Sequence, residues 1–152
     1  MMRLPHRYET TLAWPGSGAA SLAAEGRPVI EAGAPPEFGG QEAWWTPEHL
    51  LLSSLSLCLM TTFEAFARKD GVRVHAYSCR GDAVLNRVPD GLGFTHMALD
   101  VTVTTAPEDV DRARDLVMKA KHHCIVARAL MPPVHLNLQV VAAPAQAMAA
   151  MG

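Results

Sequence analysis

Three cysteines, Cys58, Cys79 and Cys124, are the residues of this 152-residue chain best suited to covalent chemistry. So small and odd a count cannot build a disulfide framework, but it permits one redox pair and a spare thiol. Cys58 and Cys124 stand 66 positions apart, which excludes a CxxC redox motif and a paired-knuckle zinc site. Cys58 lies in Ser56-Leu57-Cys58-Leu59-Met60, where the ordinary role of a free cysteine is that of a small buried hydrophobe. Cys124 follows His122-His123 and precedes a short stretch, Ile125 to Leu130, that ends at a proline pair. If a helix breaks at the histidines and restarts, unpaired amides at the new N-terminus, with Arg128 nearby, would stabilise a Cys124 thiolate. Cys79, in Tyr77-Ser78-Cys79-Arg80, has no partner in sequence and reads as structural or surface. A metal cluster from His122, His123, Cys124 and Cys58 is the weaker alternative. Adjacent helical side chains point about 100° apart, and no HExxH occurs. No GxGxxG, Walker loop or GxSxG is present.

The elements that must hold these thiols follow from periodicity. His6 to Trp14 alternates as a strand, Ala19 to Ala24 returns after Pro15-Gly16-Ser17-Gly18, and Pro28 to Glu31 is a short third strand. Gly33 to Trp45, with Pro35, Pro36, Gly39 and Gly40, is a loop long enough to suggest function. Thr46-Pro47-Glu48 opens a helix, with Thr as N-cap, Pro at the first position and an acid in the first turn. It runs to about Lys69 and stops at Asp70-Gly71. Its middle, Leu50 to Phe63, has no continuous polar face, so it is expected to be buried on every side. One subunit of this size can hardly cover it, and a homodimer sharing the helix follows. Val72 to Arg87 and Phe94 to Thr105 are two long strands, Pro107 to about Lys121 a second helix, and Val134 to Val140 a last strand. The order βββ-α-ββ-α-β is an α+β layout: two antiparallel sheets around two long helices. Residues 1–141 are expected to form one domain, and 142–152 a patternless, frayed tail.

Composition bounds the partners. Thirteen basic and fifteen acidic residues give a net charge of −2, without the basic field of a general nucleic-acid binder. The N-terminus has no signal-peptide h-region, and Leu50 to Met60 is about eleven residues against the roughly 20 of a membrane span. A soluble cytoplasmic protein, with no membrane or nucleic-acid partner and no lasting disulfide, is expected.

Several motifs together resemble the OsmC/Ohr family, the osmotically inducible and organic-hydroperoxide-resistance proteins. They are Thr46-Pro47-Glu48-His49-Leu50, Cys58-Leu59-Met60-Thr61 and Ala120-Lys121-His122-His123-Cys124-Ile125-Val126, then a Pro-Val strand, with the loop Pro36-Glu37-Phe38-Gly39-Gly40 also similar. The likeness spans about Tyr8 to Val141 and points to the OsmC-like branch. It implies an OsmC-like fold, an intertwined homodimer with sites at the interface, and thiol peroxidase chemistry on a small-molecule hydroperoxide. By position, Cys58 would be the peroxidatic cysteine and Cys124 the resolving one, with no resident cofactor and an external dithiol, of lipoyl type, as reductant. Glu48 would hold an arginine that stabilises the thiolate. Glu48 and Cys58 are ten residues apart, about 15 Å along one helix, so Glu48 should serve the Cys58 of the second subunit.

The chain departs from the family pattern in two places. The peroxidase subgroups carry an arginine in the first hairpin turn or the loop before the Pro-Glu helix, and neither place contains Arg here. Arg27, Arg7 and Arg128 are substitutes by type, none by motif. The family's Cys-Pro is Cys124-Ile125 here. Without a cation, Cys58 in an apolar helix is expected to have a raised pKa and little thiolate. Phe38 and Met60, with Arg27 and Arg128, are the candidate substrate-binding residues, and Trp44 and Trp45 line a pocket or pack at the dimer interface. The alternative function is a non-catalytic dimer that binds a small apolar ligand or senses redox state.

Overall fold

Short strands separated by tight turns begin the chain. In a computed structural model, which describes residues 3–144, β1 (Thr11–Ala13), β2 (Ala20–Ala23) and β3 (Ile30–Ala32) pair antiparallel in sequence order. β1 is shorter than the alternation from His6 to Trp14 suggested. Its ladder holds only Thr11, Leu12 and Ala13, and the Trp14 indole N–H turns to the Gly18 carbonyl (3.1 Å). The loop after β3 is closed on itself. The Gly33 amide donates to Trp45 O (2.9 Å), and the Trp44 ring lies where a Cβ on residue 33 would stand, 2.3 Å away. Only glycine admits that approach. A 3-10 turn over Pro36–Phe38 fills the rest.

α1 (Pro47–Lys69) starts and stops where its caps dictate. The Thr46 hydroxyl accepts the His49 amide (3.2 Å) and also contacts His49 Nδ1 (2.9 Å). At the far end Gly71 takes φ +68°, and the Val72 amide donates back to Ala67 O (2.9 Å), so the last carbonyls are satisfied. The described residues divide into two compact units at Leu51/Leu52, inside this helix. Leu55, Leu59, Phe63 and Ala67, one residue per turn, form the buried stripe of α1. The expectation of burial on every side is not met in the single chain, where Leu57 is 58% exposed. By length and composition alone α1 is apolar enough to cross a bilayer, its most apolar 18 residues averaging a hydropathy of 1.6. The apolarity therefore runs beyond the eleven residues from Leu50 to Met60.

The second unit is a three-stranded sheet with helices on one face. β4 (Val74–Val88) and β5 (Gly91–Thr105) form an antiparallel hairpin turning at Pro89-Asp90. β6 (Val134–Ala142) pairs with β5 in parallel, so this sheet is mixed where an antiparallel one was expected. Alternation reports which face a residue takes, not which way the strand runs. Here α2 (Val110–His123) and α3 (Ile125–Ala129) carry the chain back to the end where β5 began, the connection parallel neighbours need. The rows Tyr77–Val103–Val140, Cys79–Val101–Leu138 and Gly81–Leu99–Leu136 make the inner face. Phe63 stacks on Tyr77 (centroids 5.9 Å), and a Cβ on Gly81 would stand 3.3 Å from Ser56 Oγ, so α1 lies along β4. Ala142, expected to begin the tail, closes β6, and the Ala143 amide donates to Thr105 O (2.7 Å). The rest of that expectation, residues 145–152, lies outside the described residues.

Candidate functional site

α2 does break after His123. Cys124 is extended (φ −66°, ψ 108°), and α3 begins at Ile125, with the Arg128 amide donating to Cys124 O (3.1 Å). The end of α2 is held against α1 by Phe66, whose ring meets His123 edge-on at 5.5 Å and carries Lys119 Nζ 4.6 Å from its centroid. This brings Cys124 to Cys58 across a separation of 66 positions. Both cysteines are free, and the two thiols are near enough to shift each other's acidity.

The break leaves the first amides of α3 without intrahelical acceptors. They turn to the Cys58 sulfur. Burial pushes the Cys58 thiol up. The Val126 amide, the Cys124 thiol, the Ile125 amide and, least, the Thr62 hydroxyl, whose proton goes to Cys58 O (2.7 Å), pull it down and outweigh burial, so it lies below the ordinary thiol value of 9.0. The expectation of a raised Cys58 pKa is thus corrected. Charge stabilisation comes from backbone dipoles, and a search for a cation in sequence could not register them. Cys124 moves the other way. Burial raises it and the neighbouring Cys58 adds to that, while the Ala127 and Val126 amides offset only part. The expectation that the new N-terminus would favour a Cys124 thiolate is therefore also corrected, because its N–H groups are shared and Cys124 is 1% exposed. Cys79 is raised by burial and by Asp100, offset in part by the neighbouring Ser56 hydroxyl, which itself donates to Leu52 O (2.9 Å).

The remaining candidates are dispersed. Met60 is half-buried on α1, two residues past Cys58, and Arg128 is exposed near the end of α3. With Lys121, His122 and Met131 it lines an open cleft of about 320 Å³. In the first unit, Glu48 stands in the opening turn of α1, and its Oε2 is buried with no partner among the described residues. Phe38 is 54% exposed on the 3-10 turn. Arg27 lies in the β2–β3 turn and donates to Glu25 O (2.6 Å). Among the described residues, no group of three or more His, Cys, Asp or Glu side chains could hold a metal. Sequence reasoning missed Thr62 and the Ile125 and Val126 amides. Thr62 had a legible signal, four residues after Cys58 on the same helix. The amides had one only as the break itself.

An α+β fold of this order, with two thiols joined across its long helix and a helix break, defines a class. The chain belongs to the OsmC-like family, whose model matches residues 39–139. An uncharacterised Bacillus subtilis protein, YmaD, is 23% identical over 141 residues, covering 88% of this chain and 93% of its own. A Vibrio cholerae OsmC-like protein of unknown function superposes with a TM-score of 0.80 at 20% identity, over 88% of this chain and 99% of that one. An organic hydroperoxide resistance protein from Elizabethkingia anophelis gives 0.72 at 17% identity, over 93% of this chain and 100% of that one.

Proposed function

We propose that this protein is a thiol-dependent peroxidase that reduces organic hydroperoxides in oxidative-stress defence. The observation that carries the reading is the Cys58 sulfur, facing the Cys124 thiol and the free amides of Val126 and Ile125, which hold it below the ordinary thiol value. A thiol kept only for packing in an apolar helix has no reason to be surrounded by donors. The Cys58 thiolate attacks the distal oxygen of ROOH. The S–O bond forms, the O–O bond breaks, and RO⁻ leaves to be protonated as the alcohol. Cys124 then attacks the sulfenic sulfur, and the S–S bond forms as hydroxide departs with the Cys124 proton as water. An external dithiol, of lipoyl type, takes up the oxidising equivalents and returns both thiols.

The working unit in this reading is a cytoplasmic homodimer, supported by the exposed Leu57 on the otherwise apolar α1. Glu48, with its unpartnered Oε2, acts in that dimer on the second protomer's site. Phe38, Met60, Arg27 and Arg128 are the residues offered to the substrate. The test is consumption of cumene hydroperoxide with a dithiol by the wild type, Cys58→Ser and Cys124→Ser. Cys58→Ser should abolish turnover, and Cys124→Ser should stop at the sulfenic acid. Equal rates for the wild type and Cys58→Ser would remove Cys58 from the mechanism.

A further inference from the structure

Along most of α2 the basic side chains are engaged. Arg112 pairs with Asp109 (3.2 Å), Arg114 pairs with Asp111 (3.0 Å), and Lys119 and His123 both rest on the Phe66 ring. Lys121 and His122 at its end, and Arg128 in α3, are different: their side chains have no partner among the described residues. The sequence explains why. Asp115 is the last acidic residue of the chain, so Lys119, Lys121 and Arg128 lie in a stretch without a single Asp or Glu. In a protein of net charge −2, that is a local reversal of sign.

The three unpartnered groups converge. They line one open cleft of about 320 Å³, between the end of α2, α3 and the segment that leads into β6. No acidic side chain lines it among the described residues, and Leu130, Met131 and Val134 contribute an apolar wall. The volume falls at the small end of ligand sites, which span about 300–1,000 Å³. Like charges gathered in a concavity repel one another, and the field they focus draws an anion. The donors suit a carboxylate: the fork of Arg128 can take both oxygens, Lys121 adds a point charge and His122 a ring N–H. The apolar wall favours a carboxylate with a short hydrocarbon body over a bare inorganic anion.

We propose that this cleft is a binding site for a small amphipathic carboxylate, which Lys121 and His122 hold from one side of the helix break and Arg128 from the other. Cys124 stands between them in the chain, so the bound anion ties α3 to α2 across the break. A helix of five residues has little stability of its own. The tie therefore protects its hydrogen bonds, including the one from the Arg128 amide to Cys124 O (3.1 Å). The site goes beyond the peroxidase reading and does not depend on it, since binding involves no covalent step and needs neither thiol.

Octanoate is the probe, titrated calorimetrically into the full-length wild type and into Cys58→Ser, which lacks the proposed nucleophile. Both should bind one octanoate per chain with the same affinity. Octanamide, the same body without the charge, and inorganic phosphate, the charge without the body, should each bind about tenfold more weakly or worse. Arg128→Gln and Lys121→Gln should each weaken octanoate about fivefold, the upper worth of a solvent-accessible charge pair, and the double variant should lose more. Arg114→Gln, on the same helix but outside the cleft, should bind as the wild type does. At saturating octanoate, hydrogen exchange at the Arg128 amide should slow several-fold. Absence of saturable binding, equal binding of octanamide or phosphate, an unaffected double variant, or an equal loss in Arg114→Gln would overturn the site. Saturable binding with unchanged exchange would overturn the tie across the break. Octanoate binding by a wild type that consumes no hydroperoxide would leave the site standing and refute the peroxidase reading instead.

Discussion

Replacing Ile125 by proline isolates one backbone donor. Ile125 opens α3, so its amide has no intrahelical acceptor, and it donates to the Cys58 sulfur. Proline suits the first position of a helix, where its missing N–H breaks no helical bond. The preceding residue must be extended, and Cys124 already is, at ψ 108°. The side chain contributes little, being 71% exposed. What Ile125→Pro removes is therefore one N–H from a sulfur that Val126 and Cys124 also stabilise. A hydrogen bond to a charged group is worth about 1.5–3 kcal/mol, and 1.36 kcal/mol is one pKa unit. Because the other donors share the charge, we take the lower end: the Cys58 pKa rises by about one, and thiolate below that pKa falls about tenfold. Thiolate absorbance in a Cys79→Ser/Cys124→Ser background measures the first quantity, and the rate of Cys58 oxidation by cumene hydroperoxide in the intact protein measures the second. Ile125→Ala keeps the amide and should match the wild type in both. Should proline and alanine variants titrate alike, backbone donors are not what sets the acidity of Cys58. The substitution also restores the Cys-Pro of the wider family pattern, so it asks whether this chain's isoleucine stands in for the arginine it lacks.

Other expectations follow from the same geometry. Thr62→Val removes the hydroxyl that donates to Cys58 O (2.7 Å) and helps to lower the thiol, and should slow peroxide oxidation several-fold while leaving the circular dichroism spectrum unchanged. Phe63→Ala empties a fully buried ring site and unstacks Tyr77, costing about 3–5 kcal/mol in urea unfolding. Because Cys58 is lowered from 9.0 and its thiolate is the nucleophile of the proposed mechanism, the oxidation rate should climb with pH and level off below pH 9. A plateau above pH 9 would contradict the donor arrangement. Cys79→Ser should change turnover by less than about twofold, since Cys79 is raised by burial and engaged by Ser56.

Elements with local signals were legible in sequence. Thr46, Pro47 and Gly71 bracket α1 through capping rules that need only neighbours, and the chain obeys them. The rows of β5 follow alternation, and Met97, Leu99, Val101 and Val103 are all buried. The break at Cys124 was legible too, from the paired histidines and the prolines beyond it. Strand direction was not, because the parallel pairing of β6 depends on the crossover as a whole. Nor was the source of Cys58 acidity. Side chains advertise charge in sequence, but main-chain N–H groups are identical at every non-proline position, and only the fold says which are unpaired.

The crossover between β5 and β6 carries a consequence for the birth of the protein. The amides that acidify Cys58 belong to a segment made more than sixty residues later, and they reach it only once the crossover has folded back beside β5. A chain emerging from synthesis thus bears Cys58 as an ordinary thiol on an apolar helix. Its acidity therefore depends on closing a long-range contact, and reports locally on whether that part of the fold has formed.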